Sequence, residues 1–301
     1  MGLEGLVVVD LVKTNLEKHI STMNTSPKIG LALGGGAARG LAHIPMLEAF
    51  DELGLKPSVI AGCSMGALVG AAYAGGMTAR EIREHAERLL SNKIDMAKHV
   101  FGFKKARLGD IFSLKGLLSL HLDGQNLADI ALPDYLPQLI ENQKIPFKVV
   151  ATDYERMEEV VFTSGSILQA VGASIAIPGL ISAPIIDGRV HVDGGVKNPV
   201  PFNHVTEGMD YVVAVDVTGR PKPVQNGHPS NLELAVGSML IMFHELAKLR
   251  REQAPPDFYI APDVEHFGSG DFFKVKEIFA AAEPAKEKLK RALDLRFSSG
   301  A

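Results

Sequence analysis

A chain of 301 residues can hold one large α/β domain or two small ones, and it has ample material for a core. With 46% apolar and 22% charged residues it reads as globular rather than disordered or fibrous, and a formal charge of −4 gives no case for a nucleic-acid partner. A single cysteine, Cys63, excludes an internal disulfide framework and fits a reducing compartment.

Residues 3–23 place Leu6, Val9, Val12, Leu16, Ile20 and Met23 close to helical spacing and end in the turn-like Asn24-Thr25-Ser26-Pro27. Segment 1–26 is therefore expected to be an amphipathic helix appended to one domain, 27–301. Packing on that domain or on a second copy of the chain in a homodimer is one reading, and lying on a membrane surface is the other. The first residues lack a basic stretch and a small-residue cleavage site. Their apolar run is too short to span a bilayer, and Leu6 stands where a myristoylation signal needs Ser or Thr. The expectation is a cytoplasmic protein, with peripheral membrane contact left open.

Ile29-Gly30-Leu31-Ala32-Leu33 reads as a buried strand that runs into Gly34-Gly35-Gly36-Ala37-Ala38-Arg39-Gly40 and then a helical pattern at Leu41, Ile44, Leu47, Phe50 and Leu53. Pro45 should kink that helix or lie in its first turn. Successive glycines between strand and helix expose N–H groups that can converge on an anion. No Lys-Ser/Thr follows to make a phosphate loop, and the spacing departs from a dinucleotide fingerprint. An oxyanion hole is the better use, because a serine motif follows one helix later.

That motif is Gly62-Cys63-Ser64-Met65-Gly66, set between the apolar run Val59-Ile60-Ala61 and the small-residue run 67–72. Strand, sharp turn and helix make a nucleophile elbow, which lifts Ser64 out of the sheet at a helix N-terminus. Thr78 and Glu81 then form a capping box, with Met77 and Ile82 as a hydrophobic staple, for a helix over 79–90. Residues 92–146 mix apolar and basic groups without a clean period. Within them, 92–125 suits a cover over an apolar site, an interfacial segment or a plain helical insertion.

Further strands are expected at 147–153, 211–217 and 258–262, a helix at 164–173, and a hairpin of 181–186 with 189–192 that turns on Asp187-Gly188 and delivers Asp193. A helix at 232–252 should turn Met239, Leu240, Met242, Phe243 and Leu246 toward a core or acyl pocket. A last helix, 284–297, should bury Leu289, Ala292 and Leu293 and expose Lys286, Lys288, Lys290 and Arg291.

Four motifs occur in order: 34–40, 62–66, Ala173-Ser174-Ile175-Ala176-Ile177-Pro178, and Asp193-Gly194-Gly195. Together they resemble the patatin-like phospholipase family, in its small bacterial members, over residues 28–217. The resemblance implies a three-layer α/β/α sandwich with a central, mostly parallel sheet. It also implies hydrolysis of lipid acyl esters, phospholipid or lysophospholipid, by a Ser-Asp dyad through an acyl-enzyme intermediate. Ser64 would be the nucleophile and Asp193 its base, Gly34, Gly35 and Gly36 the oxyanion loop, and Arg39 a loop support or anion contact. No metal and no cofactor are implied. His43, His191 and His204 lie near motifs without being required by them. Two alternatives stay open: a Ser-His-Asp hydrolase recruiting His204, His244 or His266, and a catalytically weak regulatory or scaffolding module.

Overall fold

The computed structural model describes residues 27–91, 122–220 and 230–297. The expected helix at 3–23 and residues 92–121 of the expected cover segment lie outside the described residues.

Five strands run parallel: β1 (Ile29–Leu33), β2 (Val59–Cys63), β4 (Phe147–Asp153), β9 (Tyr211–Val215) and β10 (Phe258–Ile260), in the spatial order β10-β9-β1-β2-β4. The short β3 (Leu122–Asp123) pairs outside this sheet with β6 (Ile181–Ser182). Parallel strands are covered on both faces, so these segments read as near-continuous apolar runs. Ile29, Leu31, Leu33, Ile60, Val149, Val213 and Val215 enter the larger core. The intervening Ala32, Val59, Ala61, Val212 and Ala214 enter a smaller core on the opposite face, against Val200, Phe202, Val205 and Ala247. The result is an α/β fold in three layers.

β5 (Glu158–Phe162), which the sequence pattern did not signal, pairs antiparallel along one edge of β4. Its two leading glutamates mask the period, and its half-exposed side chains suit an edge. Along the other edge of β4 two strands share the ladder. β2 climbs it in parallel until Cys63 faces Val150, and β8 (Arg189–Asp193) descends it antiparallel until Asp193 faces Ala151. The ends of β2 and β8 therefore meet head to head on neighbouring residues of β4. The run 181–186 is not one strand. Ile181–Ser182 goes to β3, and only β7 (Ile185–Ile186) forms the hairpin with β8, through Asp187 and Gly188 at φ 52° and 74°.

The larger core is closed by α1 (His43–Glu52), α2 (Met65–Gly75), α3 (Ala79–Ser91), α4 (Gly124–Ala131), α5 (Ile167–Ser174) and, beyond the smaller-face helix α6 (Asn231–Gln253), by α7 (Val275–Phe297). A 3₁₀ segment, Ala37–Ala42, precedes α1, so Pro45 falls in the first turn, where its missing N–H costs nothing. The capping box at α3 forms as the spacing predicts: the Thr78 hydroxyl accepts from the Glu81 N–H at 3.2 Å, and the Glu81 carboxylate accepts from the Thr78 N–H at 2.7 Å.

The last two helices differ from expectation. α7 starts at Val275 and passes through Pro284 rather than starting there. Lys286 is buried, not solvated: its ammonium pairs with Glu283, with Glu52 at 3.1 Å and with Glu48 at 3.7 Å, while Lys290 reaches Glu52 at 2.6 Å. This half of the basic face is an ion-paired seam against α1. On α6, Met242 is 61% exposed instead of facing a pocket, and Phe243 turns toward Gly195.

Candidate active site

Ser64 sits between the end of β2 and the start of α2 with φ 52° and ψ −122°. An L-residue adopts such a conformation at a cost of about 1–3 kcal/mol, and only where its surroundings enforce it. Gly66 permits the tight approach behind the turn: a Cβ there would lie 2.1 Å from the Leu33 carbonyl oxygen. The turn leaves the Ser64 side chain aimed past the end of β2, where β8 arrives from the opposite direction. The Ser64 side chain comes near enough to the Asp193 carboxylate to favour its charged form. Asp193 Oδ1 accepts the Gly195 N–H at 2.7 Å.

Asp193 is 1% exposed, and burial raises its pKa from about 3.8 to about 6, against the nearby Ser64 side chain and the Gly195 N–H, which favour the anion. A carboxylate tuned upward in this way is a better proton acceptor near neutral pH than an exposed one. Cys63 Sγ lies 4.0 Å from Asp193 Oδ1, and burial beside that carboxylate pushes the thiol pKa well up, so it stays protonated.

The glycine loop crosses directly above, with a Cβ on Gly35 placed 3.2 Å from Ser64 Cβ. Its three N–H groups are not equivalent. The Gly34 N–H donates to the Val215 carbonyl at 3.0 Å and the Gly35 N–H to the Pro199 carbonyl at 2.8 Å, so these two build the loop instead of presenting donors. The N–H groups of Gly36 and Ala37 have no acceptor among the described residues, nor do those of Met65 and Gly66 at the start of α2. Ala37, at φ 49°, is a second strained residue in this loop. Of the three glycines expected to offer donors, only Gly36 keeps its N–H free of a described acceptor, and Ala37 and Met65, which the sequence did not single out, do so as well. A left-handed alanine next to a glycine run carries no compositional signal.

Arg39 is a loop support. Its 1%-exposed guanidinium donates to the carbonyls of Val217 (3.3 Å), Thr218 (2.8 Å) and Phe267 (2.9 Å), which consumes its fork on backbone. Arg39→Lys should destabilise the fold by about 2–4 kcal/mol, because one ammonium cannot replace a three-carbonyl fork. Urea unfolding checks this; a loss under about 0.5 kcal/mol would remove the support role.

His43 is fully buried with Nε2 2.7 Å from the Gly34 carbonyl, and burial drives its pKa down to about 4, so it is a neutral donor bracing the loop. His191 bonds the Arg189 carbonyl, His204 bonds Glu159 at 2.5 Å, His244 lies 3.4 Å from Thr218, and His266 stacks on Phe267. Among the described residues none of these imidazoles hydrogen-bonds Ser64 or Asp193.

A sheet whose strand order reverses at β1, with a strained serine at its carboxyl edge near a buried carboxylate, makes an α/β protein with a candidate serine site. The profile of the patatin-like phospholipase family matches residues 31–206, and the chain belongs to that family. It is 32% identical over 212 residues to an uncharacterized NTE family protein of Mycobacterium tuberculosis strain H37Rv, covering 69% of this chain and 54% of that one. Over 90% of this chain and 20% of the other, it is 25% identical to lysophospholipase NTE1 of Kluyveromyces lactis. The chain thus spans about half, or less, of the length of these relatives. The crystal structure of VipD from Legionella pneumophila is similar over 89% of this chain and 67% of that one, at 16% identity and a TM-score of 0.46. No described helix is long and apolar enough to cross a membrane.

Proposed function

We propose that this protein hydrolyses acyl esters of lipids, phospholipid or lysophospholipid, through the Ser64-Asp193 dyad. The observation that carries the reading is the placement of the strained Ser64 next to a buried, pKa-raised Asp193, where β2 and β8 end on neighbouring residues of β4. Ser64 Oγ attacks the ester carbonyl while its proton passes to Asp193. The oxyanion that forms is met by the N–H groups of Gly36 or Ala37 and of Met65, which no other described acceptor engages. The intermediate collapses as Asp193 returns the proton to the leaving alcohol, such as a glycerophospho headgroup fragment or lysolipid. Water, deprotonated by Asp193, then releases the fatty acid from Ser64.

A lipid substrate is supported by the family, by the name of the Kluyveromyces relative, and by an apolar rim: Ile241 and Met242 are exposed on α6 beside Phe243, whose ring lies over Gly195. That rim also supports peripheral membrane contact. The regulatory-module and histidine-triad alternatives lose ground to the intact Ser64-Asp193 pair and to the distribution of the imidazoles.

A fluorophosphonate probe should label the wild type and not Ser64→Ala, with a lipid-ester panel identifying the cleaved bond. Cys63→Ala should label at the wild-type rate, because the protonated thiol lies behind the turn. An unlabelled wild type with native unfolding behaviour would favour the inert module.

A further inference from the structure

The third sequence motif, 173–178, has no place in the chemistry above, yet it touches both halves of the dyad. Ser174, the last residue of α5, is fully buried. Its Oγ accepts the Ser64 N–H at 2.7 Å and donates its own proton to the Val150 carbonyl at 2.6 Å. Two residues on, the Ala176 carbonyl accepts the Asp193 N–H at 3.0 Å.

Val150 is the residue of β4 opposite Cys63, and Ala151 is the one opposite Asp193. At that junction the elbow turns Ser64 out of the β2 ladder, so its N–H loses the carbonyl that a continuing strand would have met. A buried N–H without a partner is costly, and a residue held at φ 52° relaxes unless something fixes it. The hydroxyl of Ser174 supplies the missing acceptor. Since its single proton is committed to Val150, it can only accept from Ser64, which fixes the direction of the bond.

We infer that Ser174 is a positioning residue: its hydroxyl holds the Ser64 backbone in the left-handed turn, while the Ala176 carbonyl in the same short segment holds Asp193, so residues 174–176 set the spacing of the dyad. This rests on the Ser-Asp reading of the site. The hydroxyl touches neither substrate nor the reacting atoms. Its loss lets the turn relax, which moves Ser64 Oγ relative to Asp193 and the free N–H groups without altering the surfaces that bind lipid.

The test measures kcat and KM for p-nitrophenyl butyrate, the fluorophosphonate labelling rate, and thermal unfolding. Ser174→Ala and Ser174→Cys should lower kcat and labelling about 10- to 100-fold with KM within about twofold, because displacement of a reacting group by ~1 Å costs of that order. Ser174→Thr, which keeps the hydroxyl, should recover most of the loss. Ser166→Ala serves as a control: Ser166 caps the other end of α5 through the Gln169 N–H, so its loss weakens the helix without reaching the elbow. It should lower the unfolding temperature and leave kcat unchanged.

The inference is overturned if Ser174→Ala keeps wild-type kcat, if its defect lies in KM alone, if Thr does no better than Ala, or if Ser166→Ala loses as much kcat. It is overturned too if Ala and Cys fail to fold where Thr folds, which would make the hydroxyl a folding element only. A folded wild type that does not label at Ser64 sinks the Ser-Asp reading and this inference with it. A wild type that labels, with Ser174→Ala labelling equally fast, sinks this inference alone.

Discussion

At pH 8, Asp193→Asn is expected to lose roughly three to four orders of magnitude in kcat and yet to unfold at higher denaturant than the wild type. The loss follows from the chemistry: an amide cannot take the Ser64 proton, and no histidine among the described residues stands behind it. The gain follows from linkage. Burial lifts the Asp193 pKa from about 3.8 to about 6, so the folded state binds this proton more tightly than the unfolded chain does. Stability from this group is therefore full below about pH 4, declines between about pH 4 and 6, and is flat above. Carrying the buried anion at pH 8 costs about 3 kcal/mol, since each pKa unit corresponds to about 1.4 kcal/mol. Asparagine removes that cost and still offers an oxygen to the Gly195 N–H, so a net gain of about 1–3 kcal/mol is expected.

Urea unfolding at pH 8 and pH 4.5 reads the sign directly. The advantage of the variant should shrink at the lower pH, where Asp193 is already neutral. Wild-type kcat/KM should fall in parallel as pH drops through about 6. A variant that retains turnover, or that is less stable at pH 8, would remove Asp193 from the role of buried base.

The second large effect is expected from Gly66→Ala. A Cβ at Gly66 would sit 2.1 Å from the Leu33 carbonyl oxygen, 2.5 Å from its carbon and 2.7 Å from the Gly34 oxygen. All three are backbone, so no rotamer change relieves the clash. α2 must back away from the end of β1 by something near an ångström, at about 1–3 kcal/mol or more for overpacking. The same shift separates the elbow from the glycine loop that faces it, so kcat should fall about 100-fold beyond any loss of folded protein. Turnover normalised to folded protein, alongside the unfolding curve, separates the two effects. A variant with wild-type kcat would show that the approach of α2 to β1 does not set the geometry of the site.

Much of the site was legible in the chain itself, because local geometry dictates it. A serine between two glycines, after an apolar run and before small residues, has few alternatives to an elbow, and the structure forms one with Ser64 at positive φ. The Thr78 to Glu81 box and the Asp187-Gly188 turn follow from spacings of three residues or fewer, and both appear. Pro284 and the lysines after it misled for the same reason: proline prefers a first turn and lysine prefers water, and both preferences are weak against tertiary contacts. The carboxylates of α1, more than two hundred residues away in the chain, draw Lys286 inward.

By itself the sequence determined that there is a strained serine, a glycine loop before it and an aspartate after a late strand, because each depends on neighbours in the chain. Only the tertiary structure decided how they act together. The head-to-head meeting of β2 and β8 on one edge of β4 brings Ser64 to a carboxylate 129 positions later. The same long-range packing gives the Gly34 and Gly35 N–H groups to Val215 and Pro199, leaves those of Gly36 and Met65 without an acceptor among the described residues, and places Ser174 under the elbow. Hydrogen-bond partners are assigned by what else needs satisfying once the core is closed, and no local pattern encodes that competition.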